Sequence, residues 1–171
     1  MQGACSSRPG MAWPSIVHRK LDREVINFGF SGNGRMEAEV GQFLAELDPA
    51  VFVVDCLPNM SPALVAERTQ PLVRQLRAAR TDTPILLVED RTFANAWFDE
   101  QRRFEHGERR KALRQSFDAL RADGVQGLHY LAGDHLLGDD DEATTDSSHP
   151  NDLGMMRQAE VVTASLRLLL E

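Results

Sequence analysis

The chain has 171 residues, and 19 lysines and arginines against 26 aspartates and glutamates give it a formal net charge of −7. That size fits one domain spanning 1–171, and 42% hydrophobic with 26% charged residues is the composition of a globular chain rather than a disordered one. The acidic balance argues against a nucleic-acid partner, no apolar run approaches the roughly eighteen residues of a membrane span, and Cys5 and Cys56 are too few for a disulfide framework or a complete zinc site.

In chain order, Met1 to Ser7 has neither the basic nor the apolar stretch of a signal peptide, so the chain as given is expected in the cytoplasm, its compartment otherwise open. Val25–Phe28 is a short apolar run ending at Gly29 and predicts a buried strand. Residues 36–47 follow with Met36, Val40, Phe43, Leu44 and Leu47 at helical spacing. Val51–Val54 predicts a second strand and residues 62–80 a helix, with Pro71 marking a kink or a fresh first turn. Pro84–Val88 predicts a third strand. Residues 90–106 read as a polar and aromatic connection, 108–122 as a helix, and Val125–Leu131 as a weaker fourth strand. An acidic loop, 132–150, leads to a closing helix over 151–170. Strands alternating with helices predict an α/β fold, a parallel sheet covered on both faces. Ligands in such folds bind at the carboxyl ends of the strands, which singles out the loops 29–35, 55–61, 89–106 and 132–150.

The first loop is Gly29-Phe30-Ser31-Gly32-Asn33-Gly34, and Asp55 follows about twenty residues later. Glycines between a strand and a helix bring backbone N–H groups near an anion, and the acid imitates a dinucleotide site. The order of the glycines differs from that fingerprint, so a tight structural turn and a nucleotide module both stay open. In the second loop, Asn59 either caps the next helix or offers its amide to a developing oxyanion. In the last loop, Asp146 stands three residues before His149, close enough to fix the imidazole tautomer, and Pro150 suits a first helical turn. His18 and His106 are expected at the surface and His129 within a strand. His135 neighbours the run Asp139–Glu142, whose oxygens suit a hard cation but match no calcium loop, so a solvated acidic loop is expected.

A glycine loop after one strand, an asparagine after the next and Asp-x-x-His before the last helix together resemble the SGNH hydrolases, the GDSL-like esterases and acylhydrolases. The segments RPGMAWPSIVHRKLDREVINFGFSGNGRMEAEV, DPAVFVVDCLPNM, DTPILLVEDRTFANAW and DSSHPNDLGM carry the resemblance, which covers essentially the whole chain. It implies a three-layer α/β/α sandwich with a flavodoxin-like parallel sheet. It also implies ester hydrolysis of an acyl or carbohydrate ester without a cofactor or metal. By the same resemblance His149 is the general base, Asp146 its orienting acid, and the Gly32 N–H and the Asn59 amide are oxyanion donors.

The family's nucleophilic serine lies in a turn after a first strand, and the resemblance places that block about three residues before Gln2. This chain is therefore expected to lack the usual first strand. Ser6, Ser7 and Ser31 are the nearest hydroxyls. A missing central strand would leave the strands around Val25 and Val51 with unpaired edges that invite self-association. The alternative to an ester hydrolase is a non-catalytic binding or scaffold protein of the same fold, or a truncated fragment. Phe93, Trp97, Phe98 and Phe104 either wall the acyl or sugar pocket or pack in the core.

Overall fold

The computed structural model describes residues 5–171. Three parallel strands, β1 (Phe52–Val54), β2 (Ile85–Val88) and β3 (Leu128–Leu131), lie in the order β1-β2-β3. Phe52 pairs with Ile85, and Ile85 in turn with Leu128. β2 is apolar at every position because helices cover both of its faces. Its pleat sends Ile85 and Leu87 one way and Leu86 and Val88 the other. The first pair packs on Leu72 and Leu76 of α3 (Pro62–Ala79) and on Leu113 and Leu120 of α4 (Glu100–Ala122). The second pair packs on Trp13 and Val17 of α1 (Trp13–Leu21) and on Met155 and Val162 of α5 (Asp152–Leu170). The result is three layers, α/β/α. α2 (Ala38–Glu46) joins the α3 side, where Gln75 donates to the Ala38 carbonyl at 3.1 Å.

The first predicted strand is absent. Val25–Phe28 runs without a ladder, and Ile26 and Phe28 are about half exposed, at 56% and 46%. An apolar run becomes a strand only beside a partner about 4.8 Å away. Here an apolar groove of about 470 Å³ lies between this run and β1.

Four smaller expectations are corrected. The polar and aromatic connection is shorter than predicted, because the Asp99 carboxylate accepts the Arg102 N–H at 3.0 Å and starts α4 at Glu100. His106 is consequently a helix residue buried against the Phe93 ring, 5.8 Å between centroids, not a surface one. Pro150 precedes α5 rather than opening it, since Asn151 caps the helix by accepting the Gly154 N–H at 3.1 Å. Pro71 lies inside an unbroken α3.

Candidate active site

The carboxyl ends of β1, β2 and β3 present three loops along one edge of the sheet. After β1, Asp55 accepts the Trp13 indole N–H at 3.1 Å and the Gln158 amide at 3.2 Å, so it ties α1 and α5 to the strand end. That use of its carboxylate as a brace weakens the nucleotide reading. Burial pushes the Cys56 thiol up to about 12, with the Asp55 and Glu37 charges adding to it, so it stays protonated at neutral pH.

Asn59 closes a single 3₁₀ turn, Leu57–Asn59. The cap of α3 is a different residue: the Ser61 hydroxyl accepts the Leu64 N–H at 3.3 Å. Among the described residues no hydrogen bond engages the Asn59 side chain; its Nδ2 lies 3.9 Å from the point where a Cβ on Gly34 would sit. Gly34 thus stands next to Asn59. Gly32 adopts a left-handed φ of +87° at the exposed tip of the same loop, a conformation that suits glycine, with open space around it. Ser31 beside it is also left-handed and exposed.

The loop before α5 is closed by its own backbone. Thr145 N–H donates to the His149 carbonyl at 2.9 Å and Asn151 N–H to the Ala143 carbonyl at 3.0 Å. A left-handed Ser147, φ +70°, turns the chain between them. The Asp146 carboxylate organises the turn. One oxygen accepts the His149 N–H at 2.7 Å and the Ser148 N–H at 3.1 Å. The other lies 2.7 Å from His149 Nδ1. Burial alone would raise the Asp146 carboxyl, but the bonds from His149 and Ser148 outweigh it and hold the group down to about 2. Asp146 is therefore an anion near neutrality, and it fixes His149 with Nε2 free to accept a proton. Both side chains are more than half exposed.

The residue that holds this loop against the sheet has no counterpart among the sequence-derived candidates. Arg91 follows β2, is 5% exposed, and donates from Nε to the Ser148 carbonyl at 2.6 Å and from Nη2 to the Ser148 hydroxyl at 3.2 Å. Ala94 N–H adds a bond to the Ser147 carbonyl at 2.9 Å. Behind Arg91, the fully buried Asp90 takes Arg109 Nη1 at 2.9 Å, and Arg109 also donates to the Met60 carbonyl at 2.7 Å, next to Asn59. Burial raises the Asp90 carboxyl and these arginines oppose the rise. The signal available in the sequence was the charged run Glu89-Asp90-Arg91 directly after an apolar strand, where a buried charge needs a partner.

The remaining candidates are placed elsewhere. Phe93 is buried, whereas Trp97, Phe98 and Phe104 are 62–73% exposed, and none of the four lines the apolar groove. His135 pairs with Asp139 at 3.0 Å, and Asp140 with Arg157 at 2.6 Å. His129 is a half-buried residue of β3, and His18 is exposed with Nδ1 2.7 Å from the Arg23 carbonyl. Ser6 and Ser7 border a shallow surface hollow at the start of α5. Among the described residues no helix is long and apolar enough to cross a membrane.

The model of the GDSL-like lipase/acylhydrolase family matches residues 1–167, and the chain belongs to that family. A protein from Bacteroides ovatus assigned as a GDSL-like lipase is similar in structure, with 36% identity and a TM-score of 0.92 over 96% of this chain and 49% of its own. The salicylyl-acyltransferase SsfX3 of a tetracycline biosynthetic pathway shares the fold at 17% identity and a TM-score of 0.75, over 95% of this chain and 51% of its own. So does a family two carbohydrate esterase from Clostridium thermocellum, solved with cellohexaose, at 14% and 0.62, over 92% and 54%. The chain spans about half the length of these solved structures. No curated protein matches it.

Proposed function

We propose that the chain carries the base, the orienting acid and the oxyanion donors of a Ser-His-Asp ester hydrolase acting on a small acyl or carbohydrate ester. The observation that carries this reading is the 2.7 Å contact between the Asp146 carboxylate and His149 Nδ1, on an exposed edge where a substrate has access. In the reaction a serine hydroxyl attacks the ester carbonyl and gives its proton to His149 Nε2. Asp146 stabilises the imidazolium that forms. The Asn59 amide and the Gly32 N–H would accept the charge growing on the carbonyl oxygen. His149 then returns the proton to the leaving alcohol, and water repeats the cycle on the acyl-enzyme. By the family resemblance, the serine would belong to a block placed before Gln2.

A serine-directed fluorophosphonate tests this. Two chains are compared: the 171 residues alone, and the same residues preceded by an added apolar strand and a Gly-x-Ser turn of the kind the family resemblance implies. The extended chain is expected to label stoichiometrically, the 171-residue chain not at all, and His149→Ala in the extended chain to abolish labelling. Labelling of the 171-residue chain would instead assign the nucleophile to Ser6, Ser7 or Ser31. Failure of both chains to label would favour a non-catalytic binding protein.

A further inference from the structure

Beneath the candidate site lies a carboxylate that the proposed chemistry leaves unused. Asp90 is wholly buried, and two guanidiniums close on it. Arg109 Nη1 donates to one of its oxygens at 2.9 Å, and Arg91 Nη1 stands 3.9 Å from the other, which has no hydrogen bond among the described residues. Each arginine also reaches a different loop. Arg109 donates from Nε to the Met60 carbonyl at 2.7 Å and so holds the turn that presents Asn59. Arg91 holds Ser148, the residue before His149. Arg110, the next residue of α4, donates from Nε to the Asp90 carbonyl at 2.7 Å and from Nη2 to the Thr92 hydroxyl at 2.9 Å, which fixes the main chain around Asp90 itself. Among the described residues no hydrogen bond joins the Asn59 turn to the His149 loop directly. A buried ion pair is a poor source of stability, because desolvating the charges offsets their attraction, and a well-packed apolar group can serve a core as well. A carboxylate between two guanidiniums adds direction instead, since each planar fork keeps its bonds at only one placement of its loop.

We propose that Asp90 and Arg109 are positioning residues, and that the buried series Met60 carbonyl, Arg109, Asp90, Arg91, Ser148 sets the Asn59 amide relative to His149 as one unit. The inference rests on the hydrolase reading, which gives one of those side chains the oxyanion and the other the proton. Both must then meet the same ester group, and such a constellation works only when held to within about 0.5 Å. Two loops at separate strand ends keep that spacing only if something rigid joins them. Helix α4 is the rigid member: it carries Arg109 and Arg110 side by side and packs on β2 through Leu113 and Leu120. Asp90, with no exposed surface, acts through its partners alone.

The test uses the 171-residue chain and needs no nucleophile, so it stands or falls apart from the fluorophosphonate labelling. Amide exchange followed by NMR reads the two loops. Met60 N–H, which donates to the Leu57 carbonyl at 2.9 Å, reports the Asn59 turn, and Ala94 N–H, bound to the Ser147 carbonyl, reports the seating of the His149 loop. Lysine in place of either arginine keeps the charge and loses the fork. Arg109→Lys is expected to speed exchange at Met60 and, by a similar factor of about tenfold, at Ala94, which Arg109 does not touch. Arg91→Lys is expected to speed the same two amides. A local structural role moves only the amide beside each arginine, so the cross-effect is the signature of positioning. The double variant should be no faster than either single one, as for two substitutions in one network. Asp90→Asn keeps the shape and removes the charge between the arginines; it should speed both amides, and it decides the question where a lysine variant does not fold. Leu120→Val, at the other end of α4, should lower Tm and leave both amides within about twofold, because loop amides exchange through local opening. Four results overturn the proposal. One is acceleration confined to the loop that each arginine touches. Another is additive acceleration in the double variant, which makes the arginines independent clamps. The third is either amide unchanged in Asp90→Asn. The last is equal acceleration in Leu120→Val, which makes the effect one of lost stability.

Discussion

Arg91 spans the gap between the end of β2 and the histidine loop and grips Ser148 by both its carbonyl and its hydroxyl. Its guanidinium is buried, so two charge-assisted bonds and the shielding of Asp90 depend on it. Arg91→Ala is expected to lower unfolding stability in urea by on the order of 3 kcal/mol, the scale of bonds to a buried charged group. Arg91→Lys keeps the charge but cannot reproduce the planar fork. It should fold, yet speed exchange of the Ala94 amide, whose acceptor is Ser147 in the same loop. Unchanged exchange at Ala94 would show that the loop holds itself.

Ser61, not Asn59, caps α3. Ser61→Ala removes the side-chain acceptor at the start of α3 and is expected to cost about 1 kcal/mol of stability. Asn59→Ala removes no cap and should leave the thermal midpoint within about a degree, since surface changes of this kind stay within ~0.5 kcal/mol. In a chain extended to include the serine block, the same Asn59→Ala should slow ester hydrolysis by roughly 10²–10³, the scale of one oxyanion donor. An unchanged rate in that chain would assign Asn59 to the local turn alone.

His106 links stability to acidity. Burial, helped by the Arg110 and Arg109 charges, lowers its pKa to about 4, against about 6.5 in an unfolded chain. Between those values the unfolded chain binds a proton that the folded one refuses. Stability therefore falls as the pH drops from about 6.5 to about 4, and this contribution levels off below that. His106→Leu should flatten that part of the stability–pH curve. Urea unfolding from pH 4 to 7, with an NMR titration of the imidazole, checks both halves of the claim.

Most of the architecture was readable from apolar spacing. β1, β2 and β3 fall inside the predicted strands, and α2, α3 and α5 match their predicted helices within about two residues. The errors have separate causes. Val25–Phe28 has the composition of a strand, but pairing is a property of two segments and no strand lies beside it among the described residues. The start of α4 was hidden because Asp99 follows an aromatic stretch that carries no helical stripe, and with it the burial of His106 was lost. At the site, Asp146 and His149 were legible from a spacing of three residues. That Asn59 does not cap α3 was not, since it turned on Ser61 taking the cap. Arg91 escaped because its partner is a main-chain carbonyl 57 residues away, and carbonyls leave no mark in a sequence.

Asn151 does two tasks with one side chain. Its carbonyl oxygen receives the Gly154 N–H that begins α5, while its amide holds the Glu142 carbonyl at 2.8 Å and the Thr144 carbonyl at 3.3 Å. Gly154 lets the two pieces meet, because a Cβ there would stand 2.1 Å from the Ala143 oxygen. The first turn of the last helix and the loop that carries His149 are therefore tied together through one side chain. The position of the His149 loop is thus coupled to the first turn of α5, so whatever loosens that turn also loosens the hold on the loop.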